Sequence, residues 1–143
     1  MNSASSAPSD PAIAASPIDV VKAAFACYLL ADREGIEALT HPDCTWSFPG
    51  DPRVIPWAGP YRGREIRRFI DHIIDHTDYL EIRVLGFWPS GDHVFLRARE
   101  RFRVRATGRI CENEYAALAT VRDGLVYGYH EYSDTAAMQA AFA

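Results

Sequence analysis

Cysteine is scarce in this chain: Cys27, Cys44 and Cys111 are the three present, an odd number with no Cys-x-x-Cys spacing. That argues against a disulfide framework and against a zinc knuckle, and it fits reduced thiols in a cytoplasmic protein. Long apolar runs are missing too. None approaches the ~20 residues a membrane-spanning helix needs, so no membrane partner is expected. The N-terminus lacks the basic start and apolar stretch of a secretory signal, and Asp10, Pro11 and Pro17 interrupt it. Positive charge is in deficit. Fifteen Lys and Arg stand against 19 Asp and Glu, a net charge of −4. A dominant phosphate-backbone partner needs a basic surface, so no nucleic acid is expected. There is no Gly-rich phosphate loop, nucleotide fingerprint or Ser-His-Asp set, so no cofactor is expected. His72 and His76 have the i, i+4 spacing of a metal pair, but no third ligand accompanies them. With Asp71 and Asp75 beside them they read as a solvated helix face, and no metal is expected.

What is present suffices for one domain. Of 143 residues, 48% are hydrophobic and 24% charged. Residues 1–15 are rich in Ser, Ala and Pro and read as a disordered tail; residues 16–143 read as a single domain. Ser16-Pro17-Ile18-Asp19 is a helix-start signature, followed by Val20, Val21, Ala24, Phe25, Tyr28 and Leu29 at helical spacing. Asp32 caps a second short helix carrying Ile36 and Leu39. Cys44–Phe48 reads as a strand, and 51–61 as a loop with three prolines. Arg62–His76 is a helix whose buried stripe is Ile66, Phe69, Ile70, Ile73 and Ile74.

The period then changes to two. Strands are predicted over 79–88, 93–105, 109–121 and 125–133, separated by Pro89-Ser-Gly-Asp92, Ala106-Thr-Gly108 and Arg122-Asp-Gly124. Ser133 or Asp134 caps a last helix bearing Met138 and Phe142. Helices covering one face of a curved antiparallel sheet make an α+β arrangement.

The chemical lead is Glu131, a carboxylate in the aromatic run Tyr127–Asp134. Strict alternation sets Tyr127, Tyr129, Glu131 and Ser133 on one face. If that face lines a cavity, the carboxyl's proton affinity can be tuned for chemistry. The plainer alternative is a structural ion pair with Arg97 or Arg99. Leu96, Ala98, Phe102 and Val104 alternate with Arg97, Arg99, Arg101, Arg103 and Arg105. That pattern suggests an apolar inner face and a basic outer face. The basic face could also form a dimer interface opposite Glu81, Glu112 and Glu114.

The order of these elements resembles the SnoaL-like branch of the nuclear-transport-factor-2-like superfamily. The segments that carry the likeness are His41–Trp46, Pro56–Gly63, Thr107-Gly108, Val121–Gly124 and Glu131–Thr135. The resemblance implies a cone-shaped α+β roll: a curved sheet wrapped around N-terminal helices, a central apolar pocket, and usually a homodimer. It places Phe48 where the steroid-isomerase type holds its base, and Ala116 or Ala117 where that type holds its second acid. Neither can ionise. The epoxide-hydrolase type sets carboxylate, arginine, carboxylate around one water. Arg99 and Glu131 match two of those roles, and Arg101 stands where the other carboxylate belongs. The resemblance turns Arg99 inward, against the alternation, unless a bulge intervenes.

The expected catalytic pair is therefore Glu131 with Arg99. Trp46, Phe48, Trp57 and Tyr129 are the expected walls of the substrate site, with Tyr115 as a hydrogen-bond donor. Trp46, Phe48 and Trp57 read equally well as core. The reading this supports is a cofactor-independent acid–base enzyme, a cyclase, isomerase or epoxide-hydrolase-like protein, acting on a small hydrophobic molecule. A non-catalytic binder of such a molecule and a dimerising scaffold are the alternatives.

Overall fold

A computed structural model describes residues 16–143; the tail expected over 1–15 lies outside the described residues. Helix α1 (Pro17–Leu29) starts with Pro at its first position, and the Ser16 hydroxyl donates to Asp19 at 2.8 Å. Its buried face is Val20, Val21, Ala24 and Phe25. Helix α2 (Arg33–Ala38) is capped by Asp32, whose carboxylate accepts from the Gly35 amide. Helix α3 (Ile66–His76) follows a single 3-10 turn and buries Ile66, Phe69, Ile70 and Ile73 of the predicted stripe, with Ile74 half-buried. Thr40 and Thr77 stand just beyond α2 and α3. Each donates its hydroxyl at 2.6 Å to a last-turn carbonyl, of Ile36 and Ile73 respectively, so two buried helix ends are satisfied where the chain turns into a strand.

The strands are β1 (Thr40–Phe48), β2 (Gly59–Arg62), β3 (Thr77–Ser90), β4 (His93–Val104), β5 (Ile110–Arg122) and β6 (Leu125–Tyr132), and the chain ends in helix α4 (Thr135–Phe142). They form one sheet in the order β2-β1-β6-β5-β4-β3. β3 to β6 are the expected antiparallel meander. Two features go beyond the sequence reading. The proline-containing loop contributes β2, which pairs antiparallel with β1, and β1 lies parallel to β6, so the sheet is mixed. Pro89 is accommodated because β3 is an edge strand.

The helices cover the inner face of this curved sheet. Val94, Leu96, Ala98, Phe102 and Val104 of β4 are fully buried under them, as are Cys111, Ala117 and Ala119 of β5. Asp134 caps α4 through the Ala137 amide, and Met138 and Ala141 complete the core. The architecture is the α+β roll expected.

Candidate active site

The inner face of the roll carries two acids. Alternation along β4 sends Glu100 inward in phase with Ala98 and Phe102, and it is 6% exposed. Glu131 of β6 is 8% exposed and pairs across the sheet with Ala117. Both line a cavity of about 60 Å³ whose walls include Trp46, Phe48, Trp57, Tyr115 and Tyr129. Aromatic packing shapes those walls. Trp46 and Phe48 lie 5.4 and 5.7 Å from the Tyr129 ring, and Phe48 stacks on Phe69 at 3.7 Å. Trp57 meets Phe102 and Phe142 edge-on.

Position along β6 is set by a bulge. Thr120 pairs with Gly128 and Val121 with Val126, which leaves Tyr127 as an extra residue. The bulge brings Val126 and Tyr129 onto the cavity and turns Tyr127 away from it, against His41 and Arg122. The expectation that Tyr127 shares a face with Tyr129 and Glu131 is corrected accordingly.

Arg99 is corrected as well. No bulge interrupts β4 where it meets β5, so Arg99 stays on the outer face, exposed, with Glu114 at 3.3 Å. Arg97 bonds to the same carboxylate and Arg101 pairs with Glu112. The basic stripe is thus partly neutralised within the chain, by cross-strand partners worth little individually at an exposed surface. Arg99 does not reach the cavity, and among the described residues no cation lines it beside Glu131.

In its place stands a hydrogen-bonded chain that the sequence reading missed. The Tyr79 hydroxyl donates to Glu100 Oε1 at 3.1 Å, and Tyr28 and Tyr79 share a hydroxyl–hydroxyl bond of 2.7 Å. The Asn113 amide lies 3.4 Å from Glu100 Oε2, and its own Oδ1 accepts from the Asp134 amide, which fixes its donor toward the acid. The signal for Glu100 was in the pattern, since it shares parity with Leu96 and Ala98. Tyr28 and Tyr79 carried no such signal, because both fit an apolar core equally well.

Burial pushes the Glu131 carboxyl up to about 8; the charge of Glu100 adds to the rise, and hydrogen bonds from Ser133 and Tyr129 oppose it. Burial likewise lifts Glu100 to about 7, against hydrogen bonds from Tyr79 and Asn113. The phenols of Tyr28, Tyr79, Tyr115 and Tyr129 are all raised well above their ordinary value, first by burial and then by carboxylate or neighbouring tyrosine charge. They remain protonated donors at neutral pH. The indole nitrogen of Trp46 is buried without a hydrogen-bond partner, an unmet donor on a residue of the cavity wall. Two carboxyls in one apolar enclosure without a cation cannot both ionise cheaply. Burial makes both hold their protons to higher pH than an ordinary carboxyl does, and the charge of Glu100 adds to the rise at Glu131.

Comparison with known proteins concerns the fold that carries this site. Residues 21–129 match the SnoaL-like domain family, and the chain belongs to that family. No curated protein matches the chain significantly. Among solved structures, an NTF2-like protein from Burkholderia xenovorans LB400 is 28% identical, with a TM-score of 0.79 over 89% of this chain and 95% of that one. An NTF2-like protein from Burkholderia thailandensis E264 is 24% identical, with a TM-score of 0.79 over 90% of this chain and 98% of that one. TerC, co-crystallised with polyporic acid, is 24% identical, with a TM-score of 0.74 over 89% of this chain and 98% of that one. The last two likenesses concern the fold alone. Among the described residues, no helix is long and apolar enough to cross a membrane.

Proposed function

We propose that this protein is a cofactor-independent acid–base enzyme of the cytoplasm, acting on a small, mainly apolar molecule that carries a carbonyl, hydroxyl or epoxide oxygen. The observation that carries the reading is the pair Glu100 and Glu131, two carboxyls of raised proton affinity in one aromatic cavity. Burying ionisable groups among rings is costly, and such shifts cluster where proton transfer is needed. Glu131, with the higher affinity, holds the proton and acts as general acid. Glu100, which accepts from both Tyr79 and Asn113, is the more fully hydrogen-bonded carboxylate and acts as base. Trp46, Phe48, Trp57 and Tyr129 form the apolar walls, and Tyr115 offers a hydroxyl to the substrate oxygen. Isomerisation, cyclisation and hydrolytic ring opening all use this pair of roles.

A generic assay suits an unidentified substrate. The protein is incubated in deuterium oxide with a panel of ring-bearing ketones, and proton exchange next to the carbonyl is followed by NMR. Wild type should catalyse exchange. Glu131→Gln and Glu100→Gln should each slow it, by roughly 10²–10⁴-fold for a positioned proton transfer. Full-rate exchange in Glu131→Gln would remove that residue from the chemistry. The alternative, a non-catalytic carrier, is favoured by the satisfied network around Glu100. It predicts ligand-induced thermal stabilisation with no exchange of any panel member. We propose further that the protein works as a homodimer joined through the outer face of its sheet.

A further inference from the structure

The cavity around the two acids is too small for the substrate class that its chemistry suits. About 60 Å³ of water-accessible space holds only a few water molecules, roughly 10–15 Å³ being needed for each. A ring-bearing ligand needs on the order of 300 Å³ or more. Next to the cavity lies a second, open hollow of about 320 Å³, bounded by Leu29, Ala31, Ile70, Ile74, Ile82 and Arg105 among others. The two spaces share a wall, formed by Tyr28, Ile73 and Tyr79.

We infer that the outer hollow is the second half of the substrate site, with Tyr28 and Tyr79 as the partition that a neutral, flat, ring-bearing molecule displaces on entry. This rests on the acid–base reading for what happens at the inner end, but the two are separable. The hollow is mainly apolar. Its charged lining groups, Asp78 and Arg105, lie 2.9 Å apart and cancel, so an uncharged ring system fits it.

The wall is built at two irregular points of the backbone. Tyr28 belongs to the last turn of α1. The helix ends with the Asp32 amide bonded to the Cys27 carbonyl and the Ala31 amide to the Tyr28 carbonyl, an arrangement that places Ala31 at φ 53°. Glycine normally fills that position, and a residue with a Cβ is strained there. Tyr79 sits immediately before a bulge in the edge strand β3, where Leu80 is the unpaired extra residue. Such bulges re-aim side chains beside binding sites. The apolar side chains next to the wall in sequence face water: Leu29 is 50%, Leu30 79% and Leu80 43% exposed. When the two tyrosines part, their mutual hydrogen bond is lost. A ligand hydroxyl arriving from the hollow can take the place of Tyr28 as donor to the Tyr79 oxygen, while Tyr79 still donates to Glu100. The ligand's reacting end is thereby delivered to the acid pair while its ring body occupies the hollow.

Binding of 2-naphthol to the full chain tests this, since it is a neutral two-ring molecule with one hydroxyl. Its own emission, excited above the tryptophan band, gives affinity and association rate. Wild type should bind it. Leu29→Trp, at a half-exposed position, and Ile74→Trp, from α3, should each plug the hollow and weaken binding at least tenfold. Tyr28→Phe keeps the ring but loses the hydroxyl–hydroxyl bond, and it should speed association several-fold. Unchanged affinity and rate in both plugged variants, shown by circular dichroism to be folded, would overturn the inference. So would failure of wild type to bind at millimolar concentration. Binding is read without turnover. A null exchange assay with naphthol blocked by the plugs would sink only the acid–base reading; exchange with naphthol unaffected by them would sink only this one.

Discussion

The acids of the cavity dictate how stability should follow pH. The folded state holds the protons of Glu100 and Glu131 more tightly than the unfolded chain does, since their ordinary value is 4.5 and burial lifts them to about 7 and 8. Their contribution is therefore fully present below the unfolded value and is lost as pH climbs through the folded ones. The melting temperature should fall between about pH 5 and pH 9, and the double variant Glu100→Gln/Glu131→Gln should flatten that decline. Thermal melts across the range measure it. A wild-type profile as flat as the variant's would mean that the carboxyls are wet. A second residue-scale prediction concerns Ala31. Its left-handed φ of 53° costs about 1 kcal/mol for a residue with a Cβ. Glycine relieves that strain but its more mobile unfolded chain takes back ~0.4–1 kcal/mol, so Ala31→Gly should raise stability by a few tenths of a kcal/mol, up to ~0.6. A loss of stability in that variant would show that the turn is not strained.

At the level of elements, the junction between β2 and α3 depends on one glycine. Gly63 has φ 55°, and a Cβ added there would stand 2.6 Å from the backbone carbonyl oxygen of Pro42. Backbone cannot yield as a flexible side chain does, so Gly63→Ala should destabilise by more than ~2 kcal/mol and shift the urea midpoint downward with an unchanged slope. Much of this layer was legible beforehand. The isoleucine stripe of α3, the Asp123-Gly124 turn and the alternation of β4 follow from periods of 3.6 and 2 and from turn chemistry that any local window contains. Glu131 was legible as the acid of an aromatic strand, and Glu100 was legible in principle from its parity on β4. What escaped is what depends on pairing across the sheet. The Tyr127 bulge exists only because β5 and β6 differ by one residue between fixed pairs, and β2 exists only because β1 offers it an edge. Arg99 was misplaced because likeness to another arrangement was set against the strand's own alternation, and alternation prevailed. The Tyr28–Tyr79–Glu100 chain joins residues far apart in sequence, which no periodicity reports.

For the whole molecule, the proposed homodimer rests on the outer face of the sheet. Trp88, Phe95, Leu118 and His130 are successive partners across four strands, so they form one row, and Ala116 and Tyr132 stand in the next. Trp88 and Phe95 are each 49% exposed and Tyr132 is 59% exposed, a contiguous apolar band of the kind that marks an interface. Beside it, Arg97 and Arg99 bond to Glu114, and Arg101 to Glu112. Those pairs set three arginines against two carboxylates and so offset most of the charge that would repel a second identical face, and a two-fold axis through the band would set it against itself. Sedimentation of the wild-type protein at micromolar concentration should therefore give twice the 16.0 kDa chain mass. The double variant Trp88→Glu/Phe95→Asp should sediment as a monomer. Both side chains point away from the cavity, so that monomer should keep 2-naphthol binding if the site is built within one chain. A monomeric wild type, or a double variant still dimeric, would place the contact elsewhere. A monomer that has lost naphthol affinity would mean that the paired sheets hold the cone in its binding-competent curvature.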